Sequence, residues 1–199
     1  GIESDPAHFP KYQNAIYILT NGNISRKITK RLIPTYDVFD EKRYFWPGKD
    51  FKPVLINNFP IGFAICEDLW EGDYQINVAK KLVNHGAKLL ISINGSPYHI
   101  GKQKIREALI QKKAKTFSTP ILYLNLVGGQ DELTFDGRSF IVNKMGDIVF
   151  RAPFCQENIC IGAISVESTS IHLDPNFFNQ KKRKVMPEID DFAKYLNFP

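Results

Sequence analysis

Residues 61–70 read IGFAICEDLW. The run from Ile61 to Ile65 is apolar without a break, which predicts a short strand buried on both faces, as in a parallel sheet covered on its two sides. Cys66 stands at its C-terminal end, directly before Glu67 and Asp68. Side chains at the carboxyl edge of such a sheet line the crevice where ligands bind, so Cys66 occupies a nucleophile's place. Position alone is equally compatible with a core residue, because free cysteine packs as a small hydrophobe.

Outward from this stretch, further apolar, β-branched or aromatic runs predict strands at Ala15 to Leu19, Leu89 to Ile93, Ile121 to Val127, Ser139 to Val142, Ile148 to Phe150 and Ile159 to Ile164. Two helical patterns fall between them. Ile76, Ala79, Leu82 and Val83 share a face, with Gly86 as C-cap; a second helix begins near Lys102, carries Ile105, Ala108 and Leu109 on one face, and ends before Thr119-Pro120. Alternation from Ile61 to Val127 implies crossover units and an α/β sheet, and Lys144 to Asp147 reads as the turn of a later hairpin. After Ser165 the chain turns polar and locally basic, which predicts a linker or extension over 166–199 with a short helix at Ile189 to Leu196.

The chain of 199 residues, 43% hydrophobic and 13% aromatic, can bury the core of one domain. No apolar run approaches the roughly 18 residues needed to cross a bilayer, and no basic-then-apolar leader is present, so a cytoplasmic protein without a membrane partner is expected. Cys66, Cys155 and Cys160 are odd in number and widely spaced, against a disulfide framework; the last two are expected to be packing residues. His8, His85, His99 and His172 lack the spacing of a metal site. Much of the formal charge of +5 lies in the runs Lys112 to Lys115 and Lys181 to Lys184. Aromatics do not alternate with these cations, apart from Tyr44 to Trp46, so a nucleic-acid groove is not indicated, and anionic small molecules account for the charge as well.

Four loops concentrate polar, glycine and aromatic residues: KRLIPTYDVFDEKRYF (30–45), ICEDLW (65–70), NGSPYHIGK (94–102) and GGQDELTFDGRS (128–139). A thiol acting on a carbonyl needs a cation or base to favour the thiolate and a donor for the oxyanion. Lys30 is the stronger candidate cation; His99 leaves a cysteine–histidine dyad open as the weaker case. As an isolated residue, Lys30 would be expected on the surface.

KRLIPTYDVFDEKRYF, GFAICEDLW, NGSPYHIGK and YLNLVGGQDELTFDG, in this order, resemble the glutamine amidotransferase domain of glutamine-dependent NAD synthetases, a branch of the nitrilase superfamily of carbon–nitrogen hydrolases. The resemblance covers about residues 1–165. It implies an α/β fold, the nitrilase-like αββα four-layer sandwich, present here only as the C-terminal portion of the domain. It implies a Glu-Lys-Cys triad in which Cys66 attacks the glutamine carboxamide and Lys30, with the backbone N–H of Glu67, stabilises the oxyanion. Glu41 matches an accessory carboxylate, and Tyr36, Glu67, Ser96 and Lys102 match glutamine-binding residues. From the residues alone, Glu41 could instead pair with Lys30 or Arg43, Ser96 could cap the following helix, and Lys102 could be a surface residue of its first turn.

The family's early FPE-type motif, which carries the general-base glutamate, has no counterpart in these residues, nor does the SGGxDS loop of the ATP-consuming synthetase domain. A portion of a longer protein is therefore expected, rather than a degenerate relative, and one nearly inactive by itself. ATP and magnesium are expected in the synthetase domain. The resemblance also implies glutamine and that domain as partners, and a homo-oligomer in the full-length form. A stand-alone nitrilase-type amidase and a non-catalytic binding module remain as alternatives.

Overall fold

The computed structural model describes residues 12–70, 72 and 74–160, together with the backbone of two strands beyond them. Strands run in chain order β1 (Ala15–Thr20), β2 (Asn23–Thr29), β3 (Thr35–Tyr36), β4 (Phe39–Asp40), β5 (Val54–Ile56), β6 (Phe59–Ile65), β7 (Leu89–Asn94) and β8 (Ile121–Asn125). They continue as β9 (Val127–Gln130), β10 (Leu133–Asp136), β11 (Phe140–Val142), β12 (Ile148–Arg151), β13 (Gly162–Ile164) and β14 (Ile171–Leu173). Helices α1 (Val78–Asn84) and α2 (Lys102–Phe117) connect β6 to β7 and β7 to β8.

The central sheet has the order β12-β11-β8-β7-β6-β5. Its three middle strands are parallel, with Ile61 opposite Leu89 and Leu90 opposite Ile121, and the flanking strands are antiparallel. This is the crossover architecture expected from the alternation over 61–127. Both faces of β6 are buried, as its apolar run requires. On one face Ala64, Leu90, Ile121 and Tyr123 pack with Val78, Ala79 and Leu82 of α1 and Ile110 and Ala114 of α2. On the other, Ile61, Phe63 and Leu89 pack with Ile28 and, less deeply, Ile16 and Ile18 of the β1–β2 hairpin. Of the four layers of the sandwich, the described residues supply one helical layer, one full sheet and a two-stranded piece of the next.

Gly62 sets the closeness of the helical layer. A Cβ there would stand 2.7 Å from Leu90 Cδ2, 3.1 Å from Ala87 Cβ and 3.2 Å from Leu82 Cβ, so α1 seats on β6 only because this residue has no side chain. Helix α1 then ends in a Schellman motif: Gly86 N–H donates to Val83 O (2.8 Å) and Ala87 N–H to Leu82 O (3.1 Å), with Gly86 at φ +97°. Gly86 thus terminates the helix as its sequence position indicates.

Several expectations are corrected. The run 121–127 is two strands: Leu126 N–H donates to Asn94 O, and β9 leaves the sheet to pair with β10, making 128–139 largely a hairpin rather than a loop. Helix α1 starts at Val78, so Ile76 lies before it. In α2 the buried residues are Gln103, Arg106, Ile110, Lys113 and Ala114, while Ile105 is 49% exposed and Ala108 also faces out. Ile159 and Cys160 belong to no strand. Hairpin strands β2 and β5 were not anticipated, although Asn21-Gly22 and Asn57-Asn58 both take the positive φ pairs that two-residue hairpin turns need. The β11–β12 hairpin forms around Lys144 to Asp147 as expected. The helix expected at Ile189 to Leu196 lies outside the described residues, and β14 within 166–199 pairs with β13.

Candidate active site

Strand β6 delivers Cys66 into a 3-10 turn, Cys66–Leu69, and Cys66 itself holds φ +42°. A side chain with a Cβ is strained there by an amount on the order of 1–3 kcal/mol. The strain is held by Asp68. Its Oδ2 accepts the N–H of Ile65 (3.0 Å), and its Oδ1 accepts the N–H of Arg31 (2.8 Å) and of Leu32 (2.9 Å). Arg31 Nη1 donates to Phe63 O (2.7 Å) and reaches Asp68 Oδ2 at 3.4 Å. One buried carboxylate therefore ties the residue before Cys66 to the residue after Lys30. Burial pushes the Asp68 carboxyl upward, and Arg31 and the three N–H donors pull it back.

Lys30 leaves the end of β2 and is only 2% exposed, so the surface reading of this lysine is overturned. Its Nζ donates to Glu41 Oε1 at 2.5 Å. Glu41 opens the 3-10 turn Glu41–Arg43; its Oε2 is buried without a hydrogen-bond partner, while Arg43 turns instead to Asp40. The Cys66 thiol is pushed up to about 11, first by burial and further by Glu67, Glu41 and Asp68; Lys30 opposes this and favours the thiolate, with Lys102 also within electrostatic reach. Burial therefore keeps this thiol in its protonated form near neutral pH.

Glu67, next in the chain, is buried and accepts from Tyr36 Oη at 2.9 and 2.8 Å on its two oxygens, with Tyr74 also hydrogen-bonded to it. Burial raises Glu67, and these hydroxyls and Lys30 oppose that. Tyr36 is raised by its own desolvation and by the carboxylate. Lys102, first residue of α2, places its ammonium over the Trp70 ring at 4.4 Å. Burial and Arg106 lower it, while Cys66 and Glu67 act in the opposite sense, which puts Lys102 in the field of the same site.

Ser96 follows β7 and is buried. It does not cap α2, whose N-cap is Gly101 without a side-chain bond; Ser96 Oγ accepts from Arg106 Nε at 3.1 Å, and Ser96 N–H donates to Asn125 Oδ1. His99 is exposed and its ring meets Ile100 O, so the dyad alternative finds no support in its placement. Cys160 is partly buried, but Cys155 is exposed, contrary to its expected role as a packing residue. Among the described residues, no group of three or more His, Cys, Asp or Glu could hold a metal ion, and no helix is long and apolar enough to cross a membrane.

The structure thus gathers Cys66, Lys30, Glu41, Tyr36, Glu67 and Lys102 around one sheet edge, with Ser96 beside them. Sequence reasoning missed Asp68, Arg31, Arg106, Asp136 and Tyr123. The signal for Asp68 was faint: an acid two residues past the cysteine, which a strand-to-turn corner can use as an acceptor for its own backbone.

The sequence matches the carbon–nitrogen hydrolase family over residues 1–170. It is 40% identical over 165 residues to the glutamine-dependent NAD(+) synthetase of Synechocystis, covering 79% of this chain and 30% of that protein. It is 38% identical to that of Aquifex aeolicus over 73% of this chain and 25% of the relative. Among solved structures, the glutamine-dependent NAD+ synthetase of Acinetobacter baumannii superposes with TM-score 0.77 at 29% identity, over 94% of this chain and 33% of that one. A carbon–nitrogen hydrolase from Helicobacter pylori gives 0.65 at 25% identity, over 73% of this chain and 55% of the other. The chain thus spans less than a third of the length of these synthetases, its fold is nitrilase-like though incomplete beside theirs, and by the extent of the family match it belongs to the carbon–nitrogen hydrolases.

Proposed function

We propose that these residues form the glutamine-hydrolysing part of a glutamine-dependent NAD synthetase, releasing ammonia for ATP-dependent amidation of nicotinic acid adenine dinucleotide elsewhere in the protein. The observation that carries this reading is the placement of a strained, partly buried thiol at Cys66 beside the Lys30–Glu41 pair and the Glu67–Tyr36 pair. Relatives named for glutamine-dependent NAD synthesis support the substrate.

In the proposed reaction Cys66 Sγ attacks the carboxamide carbon of glutamine. The developing oxyanion takes its stabilisation from the Lys30 ammonium and the backbone N–H of Glu67, which belongs to the first turn of a helix and so has no acceptor within it. The carbon–nitrogen bond breaks, ammonia departs with a proton, and water cleaves the remaining thioester to glutamate and the free thiol. Glu67 receives the ammonium group of glutamine, with Tyr36 fixing the carboxylate, and Lys102 receives the α-carboxylate. Glu41 orients Lys30 and offsets its buried charge.

The thiol proton requires a base, and the family's glutamate for that role is not among these residues. A missing base typically costs about 100- to 10,000-fold, so the 199 residues by themselves are proposed to be nearly inactive. No residue here is assigned to ATP or magnesium, because neither a phosphate-binding SGGxDS loop nor a metal-ligating cluster is found among the described residues. Both would be held by the synthetase portion.

The test is release of glutamate and ammonia from L-glutamine by the full-length protein, set against simple aliphatic amides. Glutamine turnover that is lost in Cys66→Ala supports the reading. Turnover of simple amides alone would indicate a stand-alone amidase, and turnover of neither a non-catalytic module.

A further inference from the structure

Arg106 is fully buried in α2, and the reaction outlined above does not use it. Its guanidinium is directed at one loop: Nε donates to Ser96 Oγ at 3.1 Å, and Nη2 donates to Ser96 O at 2.7 Å and Pro97 O at 3.0 Å. On the other side Nη1 donates to Asp136 Oδ1 at 2.7 Å and reaches Gln103 Oε1 at 3.5 Å. Arg106 and Asp136 form an ion pair with both side chains fully buried. Such pairs contribute little net stability, since desolvating two charges offsets their attraction; their value lies in fixing geometry.

What they fix is Ser96. Its Oγ accepts from Arg106, which leaves the hydroxyl hydrogen to be donated elsewhere. Beside it lies the buried Tyr123 hydroxyl, which interacts with Ser96 and Trp70 and is in turn within the electrostatic reach of Cys66. Lys102 precedes Arg106 by one helical turn, so both stand on the same side of α2.

We propose that Arg106, anchored by Asp136, is a positioning residue that turns the Ser96 hydroxyl into a donor for the α-carboxylate of glutamine beside Lys102, giving selectivity for an amino acid amide over a simple one. This rests on the glutaminase reading. Lys102 supplies charge, but a flexible ammonium is a point charge without direction; a hydroxyl locked from behind by a planar guanidinium supplies direction.

The experiment compares hydrolysis of L-glutamine and of 4-aminobutanamide, which is glutamine without its carboxylate, by the full-length protein. Arg106→Lys and Ser96→Ala should each raise KM for glutamine about tenfold or more while kcat stays within a few-fold. Each should lose several-fold more kcat/KM on glutamine than on 4-aminobutanamide. The double variant should be no worse than the worse single one, because both changes remove the same donor. Equal losses on the two substrates, additive losses, or no rise in KM would overturn the proposal while leaving glutaminase activity standing. Should Arg106→Lys lose cooperative melting, Ser96→Ala, which removes only a hydroxyl, decides the same question. Wild-type protein that releases no ammonia from glutamine would overturn both readings together.

Discussion

Asp68 Oδ1 holds the backbone N–H of Arg31 at 2.8 Å, and its other oxygen holds the N–H of Ile65, so the two chain segments that carry Lys30 and Cys66 meet on one buried carboxylate. Asp68→Ala should leave three N–H groups and the Arg31 cation without their acceptor. A loss of about 3–5 kcal/mol in unfolding free energy is expected from breaking a buried pair of this kind. Chemical denaturation reads it, and a loss under about 1 kcal/mol would mean that the carboxylate is not holding the corner together.

Lys30 is the strongest charge opposing the upward push on the Cys66 thiol. Alkylation of Cys66 by iodoacetamide should therefore accelerate with pH until about pH 11, and Lys30→Met should move that midpoint higher. Each unit of movement corresponds to about a tenfold slower reaction at fixed pH below the midpoint. The sign for stability follows from the same thiol. Its folded value lies above that of an unfolded cysteine, so the folded state binds more protons between the two values, and stability should fall as pH rises through the interval ending near 11. Cys66→Ser should flatten that part of the stability profile.

Tyr36 donates to the Glu67 carboxylate without other partners for its hydroxyl being needed. Tyr36→Phe should raise KM for glutamine by about tenfold, the worth of a hydrogen bond to a charged group, with a smaller change in kcat. The same variant should shift Glu67 further upward, since a hydroxyl that favours its charged form is gone. A loss confined to kcat would place Tyr36 at the reacting atoms instead of the headgroup.

The close seat of α1 on β6 depends on Gly62. Gly62→Ala should cost about 1–3 kcal/mol by overpacking, because Ala87 and Leu82 leave the new methyl no room even if the Leu90 tip moves. Thermal unfolding checks this, and an unchanged midpoint would show that the helix layer is free to shift.

The central fold was legible because β6 is buried on both faces and β7 and β8 also read as largely apolar runs, although Ile93 and Leu124 stay exposed on their second face. Helix α2 misled for the opposite reason: its inward face mixes Gln103, Arg106 and Lys113 with Ile110 and Ala114, so the apolar Ile105 and Ala108 pointed to the wrong side. The short strands β3 and β5 lack enough length for a periodic signal, and the β1–β2 turn was missed although Asn21-Gly22 is a turn pair. At the candidate site, the position of Cys66 at the end of β6 was legible from the apolar run before it, while the burial of Lys30 was not. Asp68, Arg106 and Asp136 were not, since a buried charge looks like a surface charge until its partner, 37 or 30 residues away, is seen.

The central claim, that Cys66 is a nucleophile served by a glutamine site, is tested most directly by treating the full-length protein with a glutamine analogue bearing an electrophilic carbon and mapping the modified peptides by mass. Cys155 is exposed and serves as an internal control for indiscriminate reaction. An adduct on Cys66, suppressed by excess glutamine and absent from Cys155, is the expected result. An unmodified Cys66, or labelling of Cys155 in its place, would contradict it.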